Sequence, residues 1–438
     1  MQRTRLPRRP AAHAARILSL ALALAAPPAA ADTVVQLDGV ANAGYVDTSG
    51  GQSDHHAFTE VGPALTLQLQ SPRVTWRAGY LFAGNLTLGQ YEVASSYANQ
   101  LVLALGAELS SRSALLVSGN VTQGGTAFQL AHRQADAGEP TFRSRSDADL
   151  VTASLAEAYA LEASPQLRFG QALSGSLVAP QGALGSFNAT LTGSLALDRE
   201  LRNEYGPGAR DAIGAELRAS GDFLRSSEDS PHPSWTTRNA LVARWNHDFS
   251  WRWNGQATAG VEQVLTFAGS YPLAILPTGS LTVRYATRDG GASLGLTYGS
   301  TADLHTGTVA LGQGAVARLF FGFDAEYPRQ LALSAGFLHA APLGQAPSRA
   351  AAGLGNAATA DVALFWGLAD EVLATAHYTM AYQYDQPAGL EPVQTHVFLA
   401  GLTMRYSNAR RMPPAPSLGA RVDGSDRAGF SEGGSTRR

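Results

Sequence analysis

The sequence predicts an all-β fold, a single antiparallel up-and-down transmembrane β-barrel of about eighteen strands, with sixteen strands as the alternative. Three observations favour this fold class. Segments of about ten residues in which every second side chain is apolar recur between Val34 and Tyr406. The first 31 residues have the order of an export signal. After that signal, no run of ~18 apolar residues is present to cross a membrane as a helix.

The segment at residues 64–70 shows the alternation most clearly. Leu65, Leu67 and Leu69 point one way, and Thr66 and Gln68 between them point the other. A period of two places these sets on opposite faces of a strand, one suited to hydrocarbon and one to water. A soluble sandwich has the same period with its faces reversed, so the export signal and the uninterrupted length decide for a barrel.

Residues 1–31 are predicted to be a signal peptide that is cut after Ala31. They carry five arginines, then an apolar stretch at 17–26, then two prolines and three alanines. This basic, apolar and small-residue order is typical of secretion. Residues 32–406 are predicted to be the barrel, and the proline-rich and glycine-rich residues 407–438 a disordered tail on the periplasmic side.

Composition excludes several classes of protein. The chain has no cysteine, which excludes a lipoprotein anchor, a disulfide framework and a thiolate metal site. Five arginines lie in the first 31 residues and the last 32 residues have a net charge of +3, which leaves residues 32–406 at −11. This acidic balance does not suit a nucleic-acid surface.

Short and long connections alternate along the predicted strands, as expected when one rim of a barrel carries tight turns and the other carries loops. The short turns are predicted at 71–73, 110–113, 164–165, 247–250, 288–290, 327–330 and 367–370, with a wider one at 199–211. The longer connections are predicted near 48–56, 85–97, 122–147, 179–186, 225–235, 267–277, 300–313, 341–357 and 385–392.

Aromatic side chains are predicted to form a girdle near the short turns, because Trp and Tyr collect where lipid headgroups meet hydrocarbon. Its members are Trp76, Trp245, Trp251, Trp253, Trp366 and Tyr406, with Phe169 and Tyr327. A second girdle near the loops would comprise Tyr45, Tyr80, Phe82, Phe223, Tyr298, Phe337, Tyr382 and Tyr384.

Strand parity assigns a set of charged residues to the interior, where they line the lumen and govern its selectivity. The set is Arg77, Arg168, Glu216, Arg218, Asp222, Arg244, Arg252, Glu262, Arg284, Arg318, Asp324 and Arg405, with Glu326. Six arginines near short turns would form a partial cationic ring, unless they pair with acidic residues on neighbouring strands. The same parity places Glu157 on the lipid face, which implies a bulge, a strand end or a slipped register.

The sequence does not predict an enzyme. His377 and His396 lie on adjacent predicted strands, but no serine turn motif or repeated acidic pair accompanies them. His55 and His56, beside Asp54 in a predicted loop, do not form a closed set of metal ligands. No cofactor and no structural metal is expected.

As a whole, residues 32–406 resemble the bacterial outer-membrane β-barrel class, and porins in particular. Val397 to Tyr406 is similar to the terminal strand that the barrel-insertion machinery reads in that class, although here 32 residues follow it. The resemblance implies an outer-membrane protein in contact with lipid, with both termini in the periplasm. The general layout of the chain, and short segments such as residues 71–76, are also similar to those of barrels that cooperate with short polysaccharide-export proteins.

These expectations lead to a hypothesis of a channel for hydrophilic cargo. Export of a secreted polysaccharide is the sharper form of it, with a periplasmic or outer-membrane export protein as partner. A general diffusion porin is the first alternative, with residues 122–147 as the segment that could narrow it. A structural or adhesive barrel without transport is the second.

Overall fold

The computed structural model describes most of the region from residue 32 to residue 407. The predicted signal peptide and most of the predicted tail lie outside the described residues. Within the described ranges, no helix is long and apolar enough to cross a membrane. The ranges are 32–50, 54–88, 93–124, 150–180, 187–201, 211–225, 234–266, 273–287, 289–302, 309–323, 329–342, 356–384 and 392–407.

Eighteen strands are formed by these residues. They are β1 (Asp32–Ser49), β2 (Asp54–Gln70), β3 (Val74–Leu88), β4 (Val93–Ser110), β5 (Ser113–Gly124), β6 (Leu150–Ser164), β7 (Leu167–Pro180), β8 (Phe187–Leu201), β9 (Asp211–Arg225), β10 (Ser234–Asp248), β11 (Trp253–Thr266), β12 (Leu273–Ala286), β13 (Gly290–Ala302), β14 (Val309–Phe323), β15 (Arg329–Pro342), β16 (Asn356–Ala369), β17 (Val372–Tyr384) and β18 (Val393–Ser407).

The eighteen strands close into one barrel in which each strand pairs antiparallel with its neighbours in the chain. The ring closes because β1 pairs with both β2 and β18, from Gln36 opposite Ser407 to Ser49 opposite Gln394. The predicted fold class and the count of eighteen are therefore confirmed, and the alternative of sixteen strands is wrong.

The two rims of the barrel differ in their connections. One rim, called the turn end, carries tight turns such as those at 71–73 and 165–166, as predicted. The opposite rim, called the loop end, is reached by strands of 12 to 18 residues, longer than the ~9 to 11 that a membrane needs. His55 and His56 are consequently in β2, and their predicted placement in a loop is wrong.

The apolar sides of the strands face outward. On β9, Ile213 and Leu217 are exposed, whereas Glu216 and Asp222, at positions of the opposite parity, are buried. The same contrast holds on β1 and β10, so one closed sheet separates an apolar outer face from a largely polar inner face.

Glu157 does lie on the outer face of β6, but the expected irregularity is absent there. Its register is continuous, with Val117 opposite on β5 and Leu173 opposite on β7. In the described hairpins the register shifts instead beside short turns, at 108/110, 162/164 and 367/369. The bulge, strand end or slipped register expected at Glu157 is therefore wrong, because a regular mid-strand position carries this carboxyl group outward.

Candidate functional site

The inner face of β6, β7 and β8 carries an ion-pair cluster near the turn end. Arg168 lies between two carboxylates, with its Nη2 atom 3.0 Å from Glu162 and 2.7 Å from Glu200. The three side chains come from three consecutive strands, so the cluster ties those strands together on the lumen side. The charge of Arg168 is compensated within the wall.

A second ion-pair cluster centres on Glu216 of β9. Arg218 donates to both of its carboxylate oxygens, from Nε at 3.0 Å and Nη2 at 3.1 Å. Arg244 of β10 approaches Glu216 at 3.5 Å and Asp198 of β8 at 3.6 Å. Three strands again share charges of both signs, which weakens the net field that either sign would project into the lumen.

A third cluster lies nearer the loop end, on β8 to β11. The Thr190 hydroxyl donates to Asp222 at 2.8 Å, and Arg238 pairs with the same carboxylate at 3.0 Å. Glu262 accepts a hydrogen bond at 3.0 Å from the backbone N–H of Ser300, which belongs to β13. This cluster therefore joins strands that are not neighbours in the sheet.

At the seam where the barrel closes, Arg405 of β18 donates to Asp38 of β1 at 3.4 Å. Gln36 also donates to Asp38, and Arg77 on β3 interacts electrostatically with both charged groups. These side chains all point inward, as parity predicts for Arg77 and Arg405.

The remaining predicted lumen residues that the structure describes lie on β12, on β14 and in a turn. Ser293 of β13 lies opposite Arg284 of β12 on one side and opposite Arg318 of β14 on the other. The Nε atom of Arg318 is buried without a hydrogen-bond partner in the described part of the chain. Arg252 lies in the turn between β10 and β11, where strand parity does not apply, with its guanidinium carbon 4.2 Å from the Trp251 ring centroid. Asp324 lies outside the described residues.

Part of the inner face is apolar, which the parity argument did not anticipate. Val46, Phe58, Val397 and Leu399 pack together on β1, β2 and β18, each less than a tenth exposed. A second patch on β2, β3 and β4 comprises Ala64, Leu81, Ala83 and Ala98. The inner face therefore carries apolar clusters on β1 to β4 and β18, close to polar pairs such as Asn42 with Glu60, in addition to the ion pairs described above.

The two histidines considered for catalysis lie on opposite faces of the wall. His377 points inward beside Asp361, which accepts hydrogen bonds from Ser334 at 3.0 Å and from Thr379 at 2.9 Å. His396 points outward, and its Nδ1 atom lies 2.8 Å from the Tyr378 hydroxyl. They cannot share one site.

The predicted turn-end girdle lies on the outer side of the barrel. Trp245, Trp253, Trp366 and Tyr406 are exposed on outward-facing strand positions, Trp76 is partly exposed, and Trp251 projects from a turn. Arg329 of β15 adds a cation, its guanidinium carbon 4.1 Å from the Trp366 ring centroid. Of the two further members, Phe169 is on β7 and Tyr327 lies outside the described residues.

The sequence analysis missed several inward charges, among them Arg238, Asp38 and Asp361. It also missed the carboxylates that pair with predicted arginines, namely Glu162, Asp198 and Glu200. Arg238 has the same strand parity as Arg244 on β10, so parity could have found it. Arg238 and Asp38 lie four and six residues inside their strands. Ends of strands are the least regular part of the alternation, and this hides such residues.

Comparison with known proteins finds only solved structures of low sequence identity and low structural similarity to this chain. No protein-family model matches the chain, and no curated protein matches it. Pseudomonas aeruginosa OccK5 (OpdH) is 11% identical with a TM-score of 0.37, over 86% of this chain and 98% of that one. OccK2 (OpdF) from the same organism, solved with glucuronate, is 12% identical with a TM-score of 0.39, over 85% and 98%. The E. coli ferric-catecholate import receptor Fiu is 8% identical with a TM-score of 0.37, over 84% and 81%. The fold assignment rests on the strand order of this chain itself.

Proposed function

We propose that this protein is a passive channel for small hydrophilic solutes in the outer membrane of a Gram-negative bacterium. The observation that carries the proposal is the opposite polarity of the two faces of one closed sheet. Leucines such as Leu217 and Leu241 face outward, while Glu216 and Arg244 on the same two strands face inward and pair. An apolar exterior suits lipid, and a charged interior suits water and polar solutes.

The outer face supports placement in a bilayer. Most of its exposed tryptophans lie at the turn end, at the level where lipid headgroups would meet hydrocarbon, and Trp235 is exposed near the loop end. Arg329 stacked on Trp366 fits the same level, because a guanidinium there can reach headgroup phosphates while its stem and the indole remain in apolar surroundings. The proposed orientation places the turn end and both termini in the periplasm.

Small solutes fit this lumen better than a polysaccharide does. The apolar cluster of Val46, Phe58, Val397 and Leu399 occupies inner positions that a wide hydrated bore would give to polar side chains. Across the ring, the backbone at Ser300 is bound to inward side chains of β10 and β11. Both features reduce the space for a long hydrated polymer, so a porin-like channel is the stronger candidate and polysaccharide export the weaker one.

The ion pairs indicate modest selectivity between anions and cations. Arg168, Arg244 and Arg405 were candidates for a cationic ring, and each has a carboxylate within 3.6 Å. Paired charges cancel much of their field at a distance. We expect size to dominate over charge in deciding which solutes pass.

Reconstitution of the full-length mature protein tests the proposal. In planar bilayers we expect stepwise conductance, and in liposomes swelling rates that fall as neutral sugars grow from monosaccharides to oligosaccharides. Protein unfolded by heat before reconstitution is the control. Undiminished passage of long oligosaccharides would favour export of a polymer, whereas absence of both conductance and swelling would favour a structural or adhesive barrel.

A further inference from the structure

Strands β12 and β13 separate towards the loop end of the barrel. They are paired from Ala286 opposite Gly291 to Gly279 opposite Tyr298, and the pairing ends there. Beyond that point β12 continues to pair with β11 as far as Leu273. The end of β13 likewise remains paired with β14, with Ser300 opposite Leu311. β14 in turn stays paired with β15 as far as Ala310 opposite Pro342, so the loop end of β13 parts from β12 alone.

Local sequence explains where the two strands separate. The Thr278 hydroxyl donates to the carbonyl of Tyr298 at 3.2 Å and caps the last paired rung. Gly299 follows with φ of 157°, and a Cβ atom there would lie 2.6 Å from the Thr278 hydroxyl oxygen, so glycine alone fits without displacing its neighbour. Pro277 lies in the part of β12 that β13 does not pair, as expected for proline in an edge segment.

Inward-facing side chains hold the freed backbone of Ser300. Its N–H donates to Glu262 Oε2 at 3.0 Å, and its carbonyl accepts from Arg238 Nη1 at 3.4 Å. Glu262 is on β11 and Arg238 on β10, so both contacts pass over β12. Arg238 is itself held by Asp222, which Thr190 supports in turn.

These contacts replace hydrogen bonds that β12 would otherwise supply. A buried backbone N–H and carbonyl that left the sheet without new partners would each be left with an unsatisfied hydrogen bond, which destabilises the fold. Glu262 is 9% exposed, so its bond to Ser300 lies where water competes poorly. Because both side chains face the lumen, the end of β13 that they hold lies on the lumen side of the wall.

We propose that Glu262 and Arg238 form a latch that holds the loop end of β13, at Ser300, on the lumen side of β12, where this segment narrows the lumen. The narrowing of the lumen rests on the proposed channel function, whereas the contact of the latch with Ser300 does not. Glu262 is a positioning residue, because it acts through the backbone of Ser300. The segment expected from the sequence to narrow the bore, at 122–147, lies for the most part outside the described residues.

Spin-label distances test the structural part directly, and the absence of cysteine from the chain makes labelling clean. Labels at Ile275→Cys on β12 and Leu311→Cys on β14 span the separated region, and labels at Leu281→Cys and Leu319→Cys span the same strands where pairing is intact. In Glu262→Ala we expect the first distance distribution to broaden or shift and the second to stay unchanged. In Glu262→Gln, whose amide oxygen can still accept from Ser300, we expect the original distribution.

Single-channel recording tests the functional part. Glu262→Ala is expected to raise the conductance and the open-channel noise, with Glu262→Gln close to the unmodified protein. Glu157→Ala removes a carboxylate from the outer face of β6 and serves as the matched control, with unchanged conductance. Retention of the heat-modifiable folded band on gels shows that each variant is folded.

Each outcome decides a separate claim. An unchanged distance distribution in folded Glu262→Ala overturns the latch. A changed distribution with unaltered conductance overturns the narrowing role. If the unmodified protein does not conduct at all, the proposed function fails, and the distance measurement still decides whether the latch exists.

Discussion

Asp38 and Arg405 lie on the first and last strands of the barrel, and the Arg405 Nε atom donates to the Asp38 carboxylate at 3.4 Å across the closing seam. Asp38 is 6% exposed, so its charge depends on this contact and on the Gln36 amide. Residues 367 positions apart in the chain are thereby joined at the one place where closure is not made by consecutive strands.

We predict that Arg405→Gln lowers the free energy of unfolding by about 1 to 3 kcal/mol, because it removes a charged donor from a buried carboxylate. Urea titration followed by tryptophan fluorescence measures the loss. The double variant with Asp38→Asn should be less destabilised than the sum of the two single variants. Additive losses would show that the two side chains are not coupled.

The outward carboxyl group of Glu157 should weaken the barrel in lipid. Glu157→Leu is predicted to raise the free energy of unfolding by about 1 to 3 kcal/mol in lipid, because it replaces a charge on the hydrocarbon-facing wall with an apolar side chain. Its neighbours Val117 and Leu173 are apolar already. Unfolding of both proteins in the same vesicles is the measurement, and a loss of stability would indicate that Glu157 binds something outside the barrel.

Phe58 should affect both the stability of the barrel and the width of its lumen. Its ring packs against Val46, Val397 and Leu399 on the inner face, so Phe58→Ala is predicted to cost about 3 to 5 kcal/mol. The space left in the lumen should raise single-channel conductance. Phe398→Ala on the outer face of β18 is the matched control, and equal conductance changes in the two variants would contradict the assignment of faces.

Arg244 should influence ion selectivity. It is shared by Asp198 and Glu216, and Arg244→Gln leaves that part of the lumen with an excess of negative charge. We predict that the reversal potential in a salt gradient shifts towards cation preference, more strongly at low ionic strength. Arg199→Gln removes an exposed outward arginine of β8 and should leave the reversal potential where it was.

The sequence predicted the strand faces and the short turns well, because both depend on neighbours in the chain. Alternation alone places Leu217 outward and Glu216 inward, and Pro165 between two alternating runs marks a turn. It could not identify the partner of Arg405, because Asp38 becomes its neighbour only when the ring closes. Nor could it show that Glu262 binds the backbone of Ser300, since that contact passes over the intervening strand.

The loop-end half of the inner face carries two unlike groups of side chains on opposite sides of the ring. Phe58 and Val397 belong to strands beside the closing seam, and Arg238 and Asp222 belong to strands about half the ring away. In the proposed channel, a solute at this level would pass between an apolar cluster on one side and fixed charges on the other. Solutes with one apolar and one polar edge would therefore pass in a preferred orientation, whereas uniformly polar solutes would have no such preference.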